Sequence, residues 1–274
     1  MITPRSRTFF PARVTDNPYW EGTNYIAQLQ ALPEPLRSQL LYGDMKAGLA
    51  DDAYQILPSE WVRAAMKRWT EREEPGPLTA LGVDPSRGGD DSTVISPRHG
   101  YYFAKQIQYP GAAIRTGQDV VVRIVPLLAN GGIANVDVIG IGSSAVDIAR
   151  MQGLPVNAVN FGAGTDERDK GGILSFQNVR ALAYWRMRES LDPNLPEDEQ
   201  VAIPDDPELF TELTAHRYEP GMRGLKVKSK DEVKERIGRS PDKADALVLA
   251  NLIAGYNMDT DALIAFYKGG NERV

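Results

Sequence analysis

The sequence predicts an α/β fold built on one mixed sheet, and three observations carry that prediction. Residues 78–108 read as short apolar segments separated by turns, the pattern of an antiparallel meander. Residues 117–161 then alternate helical and strand periodicities twice, the pattern of parallel crossovers. Helical patterns before and after these segments supply the layers that cover a sheet.

Taken in order, residues 1–76 read as a helical lead-in and linker. Asn24 can cap a helix with Tyr25, Ile26, Leu29 and Leu32 at helical spacing, and Pro35 to Leu41 forms a second one, stopped at Gly43-Asp44. Pro58-Ser59-Glu60 opens a third, whose Trp61, Ala65 and Trp69 share a face expected to pack rather than to stack on a ligand. The Pro- and Gly-rich stretch 70–77 marks a boundary. The sheet domain is placed at 77–258. It opens with strands 78–84, 93–97 and 101–108, followed by a helix over 117–129, a strand over 133–141, a helix over 143–152 and a strand over 156–161. An amphipathic helix begins near Asn178, with Val179, Leu182, Ala183 and Met187 on one side and Arg180, Arg186 and Arg188 elsewhere. Residues 193–207 read as an acidic loop, followed by a helix from Glu208, a hairpin around Gly221–Gly224, a basic stretch over 225–239 and a last helix capped by Ser240. Residues 259–274 form a tail.

Composition narrows the chemistry. The chain has 274 residues, 42% hydrophobic and 25% charged, the balance of a globular protein. No apolar run approaches the roughly 20 residues needed to span a bilayer, and a cytoplasmic location is the default expectation. With no cysteine and two histidines, thiolate zinc sites and cysteine nucleophiles are excluded. Catalysis, if present, rests on carboxylates.

Three places hold such carboxylates. Asp84 ends an apolar strand and precedes the Pro85 to Gly89 turn, where it is either a turn residue or a site residue. Asp137 lies among Val136, Val138, Ile139 and Ile141, inside the strand expected over 133–141, where an unpaired carboxylate is costly. Asp242 and Asp245 fall on one face of the last helix, and Asp245 sits within the apolar run ADALVLANLI. Oxygen ligands from two strands and one helix, without sulfur, suit Mg²⁺ or Mn²⁺. A pair of such ions, about 3.5–4 Å apart, can cleave a phosphodiester with no protein nucleophile. The adjoining stretch carries Lys226, Lys228, Lys230, Lys234, Arg236 and Arg239 in a chain of net charge −6, a candidate track for a DNA backbone or a solvated charged loop. A competing motif, Gly140-Ile-Gly142-Ser-Ser-Ala145, matches the dinucleotide fingerprint, but the next strand offers Asn157 and Asn160 where that fingerprint expects an acid.

The order of these acids resembles that of ribonuclease H-like nucleases, and DKADALVLA is similar to the corresponding helix of RuvC-type resolvases. More specifically, DNPYW, LLYGDM, ILPSEWVRAAMKRW, GVDPSRGGDDST, VDVIGIGSSAVD, FQNVRALAYWRMRE and SKDEVKERIGRSPDKADAL resemble the nuclease domain of the large terminase subunit of tailed phages. The resemblance implies a ribonuclease H-like fold and a Mg²⁺- or Mn²⁺-dependent endonuclease that cuts concatemeric double-stranded DNA in the bacterial host cytoplasm. It further implies Asp84, Asp137 and Asp245 as catalytic metal ligands, Asp242 as a fourth acid, and Asp90 or Asp91 as an auxiliary one. The implied partners are the portal protein and the small terminase subunit. No G-x-x-x-x-G-K-[ST] loop occurs, so ATP hydrolysis is expected of a separate or missing ATPase domain, the chain being either a nuclease fragment or a split gene product. Other readings are a RuvC-like junction nuclease, a non-catalytic module that docks on the portal, and dinucleotide-linked oxidoreduction.

Overall fold

The computed structural model describes residues 18–20, 25–30, 36–42, 51–88, 91–129 and 131–252. By contacts the chain divides into two compact units, residues 1–55 and 56–274. In the first unit the helices α1 (Tyr25–Gln30) and α2 (Leu36–Tyr42) fall where helical spacing places them. The expectations for Asn24, Pro35, Gly43, Asp44 and residues 253–274 lie outside the described residues, as does that for Asp90. No helix among the described residues is long and apolar enough to cross a membrane.

The second unit opens with α3 (Ser59–Lys67), which buries Val62, Ala65 and Met66. Its tryptophans pack at the flanks: Trp61 lies under the Arg188 guanidinium, and Trp69 stacks on Tyr102 while its indole N–H donates to the Phe103 carbonyl at 2.8 Å. The sheet follows, with β1 (Ala80–Asp84), β2 (Ser92–His99), β3 (Tyr102–Phe103), β4 (Ile107–Pro110), β5 (Ile133–Asp137) and β6 (Val156–Val159). Their order is β3-β2-β1-β5-β6, with β4 also on β2. The β1, β2, β3 and β4 pairings are antiparallel, whereas β5 and β6 run parallel. This is the mixed α/β sheet of the sequence reading.

The third meander strand, expected unbroken over 101–108, is two short strands. Its partner β2 carries Pro97, which has no N–H to give a neighbour, and the ladder breaks there: β3 pairs with Arg98 and His99, β4 with Ser92 to Ile95. Helices α4 (Gly117–Leu128) and α5 (Gly142–Met151) make the two crossovers. The remaining elements are α6 (Val179–Ser190), α7 (Pro207–Ala215), the hairpin β7 (Tyr218–Gly221) and β8 (Gly224–Val227), α8 (Lys230–Ile237) and α9 (Asp242–Asn251).

Strand alternation then sorts the residues that matter. Leu81 and Val83 of β1, with Ala134 and Val136 of β5, join Val120, Val121, Ile124, Ala145 and Val146 in the core under α4 and α5. Their neighbours Gly82, Asp84, Asn135 and Asp137 must point to the opposite face. There α9 lies against β1, close enough that a Cβ on Gly82 would stand 1.9 Å from the Ala246 carbonyl oxygen. The far end of α9 is pinned by Asn135, whose amide donates to the Leu249 and Leu252 carbonyls, and by Arg98, which donates to the Asn251 side chain and backbone. Position 82 must therefore be glycine if helix and strand are to touch, and that contact brings the acids of α9 to the acids of the sheet.

Candidate metal and phosphodiester site

Asp84 and Asp137 end adjacent parallel strands. The register pairs Val83 with Val136, so the two carboxylates follow side by side at the strands' carboxyl ends. Asp137 closes its strand instead of lying within a longer one as expected, because its Oδ1 accepts from the Ile139 amide at 3.1 Å and turns the chain. Gly140 then takes φ 71°, and Gly142 passes so near the Asp137 carbonyl that no Cβ fits. The glycines of the dinucleotide-like motif thus serve a tight strand-to-helix turn. Asn157, where that motif wants an acid nearby, donates to Asn135 in the interior at 3.3 Å.

The first turn of α9 supplies Asp242 and Asp245. Ser240 is not its cap: Pro241 holds the N-cap position, and the Ala244 N–H is taken by the Glu212 carboxylate of α7 at 3.0 Å. A cap from another element fits a helix buried on all sides, where the preceding chain has no room to fold its own side chain back.

Lys230, at the start of α8, joins these acids. Its Nζ lies 2.8 Å from Asp84 Oδ2, 3.0 Å from Asp242 Oδ1 and 3.5 Å from Asp245 Oδ2. The other Asp242 oxygen accepts from the Ser92 amide at 3.1 Å. Asp245 is 1% exposed and held on every side. Arg180 grips both its oxygens, at 2.9 and 3.2 Å, and the Tyr184 hydroxyl donates to Oδ1 at 2.6 Å. Behind them His216 packs on the Tyr184 ring and lies 3.2 Å from Arg180 through Nε2, with its Nδ1 2.8 Å from the Glu212 carbonyl.

The electrostatics follow from this packing. Burial pushes Asp84 up to about 8, Asp245 and Asp242 adding to the effect against the pull of Lys230. Burial likewise lifts Asp137 to about 6, although the Ile139 amide opposes it. For Asp245 burial is outweighed by Arg180 and Lys230, which hold it at about 2. Lys230 itself stays protonated well above its ordinary range, because the three acids overcome its own burial. Burial and the Arg180 charge press His216 down to about 3, so it is neutral.

Asp84, Asp137, Asp242, Lys230 and Arg180 line one cavity of about 490 Å³. Asp245 meets it through Lys230 and Arg180. The structure thus brings together all four acids singled out in the sequence. Asp91 also lines the cavity, but its carboxylate is engaged by Lys234 at 3.0 Å. Among the described residues no three side chains form a ready metal cage. The donor set nevertheless fits a hard divalent cation: it is all oxygen, and three of its carboxylates already meet on an ammonium that stands in for one.

The six basic candidates separate. Lys230 belongs to the acid centre. Lys226 and Lys228 pair with Glu219, Lys228 also with Glu232, Lys234 with Asp91, and Arg239 with Glu208 and Glu212. Only Arg236 has no acid partner among the described residues.

Sequence reasoning placed Arg180 away from the packed side of α6, yet Arg180 and Arg188 are both buried. Each has a reason to be. Arg180 is paired with Asp245, while Arg188 donates to the Ile56 carbonyl at 2.6 Å and lies between Trp61 and Trp185. Tyr184 and His216 were not singled out. The available signal was a Tyr one turn after Arg180, in the otherwise apolar first half of the helix, residues 179–185.

Solved structures share this mixed-sheet α/β fold. The likeness is to the nuclease domain of the large terminase subunit gp2 of bacterial virus Sf6, at 21% identity and TM-score 0.55, covering 72% of this chain and 98% of that one. A point mutant of the same gp2 domain with calcium gives 20% identity and TM-score 0.57 over the same shares, and so does a mutant with manganese and β-thujaplicinol. At such identity the likeness is one of fold. No protein-family model matches the chain, and no curated protein matches it in sequence.

Proposed function

We propose that this chain is the nuclease of a viral DNA-packaging terminase, cutting concatemeric double-stranded DNA by divalent-metal-dependent phosphodiester hydrolysis. The observation that carries the reading is the convergence of Asp84, Asp242 and Asp245 on one cation beside a cavity that Asp137 also lines. Its support from outside the chain is the Sf6 gp2 nuclease fold, solved with manganese.

Asp84, Asp137, Asp242 and Asp245 are the residues that would hold Mg²⁺ or Mn²⁺, as two ions, with Asp91 or Asp90 as an auxiliary acid. Bound there, such ions supply a nucleophilic water and stabilise charge on the leaving oxygen. The chain's own groups do the positioning. Arg180 and Tyr184 fix Asp245, the Ile139 amide fixes Asp137, and the Ser92 amide fixes Asp242. Lys230 balances the acids' charge. In this reading the protein works in the bacterial host cytoplasm with a portal protein and a small terminase subunit, and ATP-driven DNA movement is assigned to an ATPase outside these 274 residues.

The test is plasmid cleavage with Mn²⁺ or Mg²⁺. Wild type is expected to cut only with the metal, and Asp84→Ala/Asp245→Ala not at all. Equal activity in the two would overturn the reading. No cleavage, with stability indifferent to divalent ions, would favour a non-catalytic portal-docking module instead.

A further inference from the structure

The sequence suggested that DNA follows the basic stretch 225–239, yet most of its charges are already spent on acids within the fold. Lys226, Lys228, Lys234 and Arg239 each have a carboxylate partner at 3.4 Å or less. A phosphate would have to compete for each.

On the loop after β1 and the turn before α4 the situation is reversed. Arg87, in the loop between β1 and β2, is exposed and has no acid within ion-pair distance among the described residues; Arg115, just before α4, is the same. The two line one concavity of about 410 Å³ with Gly88, Gly111, Ala112 and Ile114. Asp119, the acid of that turn, is occupied by the backbone N–H groups of Arg115 and Thr116 rather than by a guanidinium. Arg87 also lines the cavity of the acid centre, so the two hollows share a wall. Gly88 and Gly111 line the second hollow, where the Gly88 N–H donates to the Gly111 carbonyl at 3.1 Å and ties the Arg87 loop to the turn that carries Arg115.

We propose that duplex DNA passes from the acid centre over the loop between β1 and β2, with Arg87 and then Arg115 holding consecutive stretches of its phosphate backbone. The inference rests on the nuclease reading and specifies where its substrate lies. Guanidiniums free of internal partners form phosphate contacts without first breaking an ion pair, and they give the fork geometry that matches phosphate oxygens. Contacts of this kind position a duplex without reading its sequence.

The experiment is fluorescence anisotropy of a labelled duplex in EDTA over a salt series, with metal-dependent plasmid cleavage measured on the same preparations. Each phosphate contact contributes about 0.9 to the slope of log K against log salt. Arg87→Ala and Arg115→Ala are each expected to lower the slope by about 1, and the pair by about 2. Arg→Lys at both positions should restore it. Lys226→Ala/Lys228→Ala, which removes as many charges, should lower it less. A wild type that cuts plasmid while Arg87→Ala/Arg115→Ala keeps the full salt slope overturns this path and leaves the nuclease reading standing. A wild type that neither binds duplex nor cuts plasmid overturns both.

Discussion

Gly82→Ala probes how the site is built, because the acids meet only if α9 lies against β1. A Cβ at position 82 would stand 1.9 Å from the Ala246 carbonyl oxygen, 2.3 Å from the Ala250 nitrogen and 3.0 Å from the Ala250 Cα. All three are backbone atoms, so no side chain can rotate away. Ordinary contact begins near 3.4 Å, so the helix must retreat by about 1.5 Å along that direction. Overpacking of this kind costs about 1–3 kcal/mol. At about 2–4 °C per kcal/mol for a domain of this size, the melting temperature should fall by roughly 2–12 °C. Asp242 and Asp245 travel with the helix and Asp84 stays with the strand. A misplacement of about 1 Å at reacting groups can cost about 100-fold in rate. Melting followed by circular dichroism, with Mn²⁺-dependent plasmid cleavage on the same sample, should therefore show a folded, less stable protein about 100-fold slower. Wild-type melting together with wild-type cleavage would refute the close contact between α9 and β1 and the account of the site built on it.

Tyr184→Phe removes the 2.6 Å hydrogen bond to Asp245 while keeping the ring against His216. Loss of a hydrogen bond to a charged group should cost about 1.5–3 kcal/mol in chemical denaturation and slow cleavage, with Arg180 still holding the carboxylate; unchanged stability would show that the bond is not made. Glu212 gives a pH signature. Burial raises it from its ordinary 4.5 to about 7, against the Ala244 amide and Arg239. Between those values the folded state holds a proton that the unfolded state has released, so this group's contribution to stability is lost as pH rises from 4.5 through 7. Glu212→Gln does not titrate and should gain on wild type by up to about 3 kcal/mol across that window. A difference between the two proteins that stays flat with pH would contradict the raised value.

Much of this was legible because periodicity is local. The crossovers and the apolar helix carrying Asp245 show in the spacing of apolar residues, and so did the acids, since a carboxylate inside such a run needs a cation. What stayed hidden depends on partners distant in sequence. Lys230 read as one basic residue among several, because its three acid partners come from β1 and α9. Its helix α8 was missed although Ser229 and Glu232 form a capping box, since the density of charge masked the signal. Arg180 looked like a surface residue because its burial is explained only by Asp245. Ser240 looked like a cap because Glu212, which takes the role, arrives from α7. The sheet's broken edge strand required knowing that Pro97 lies opposite it.

A crystal of this protein soaked in Mn²⁺ and read for anomalous density tests the central claim most directly. Mn²⁺ density is expected among the carboxylates of Asp84, Asp137, Asp242 and Asp245, with the Lys230 ammonium displaced from the position it holds between three of them. Lys230 still bridging Asp84, Asp242 and Asp245, with no manganese beside them at saturating concentration, would contradict it.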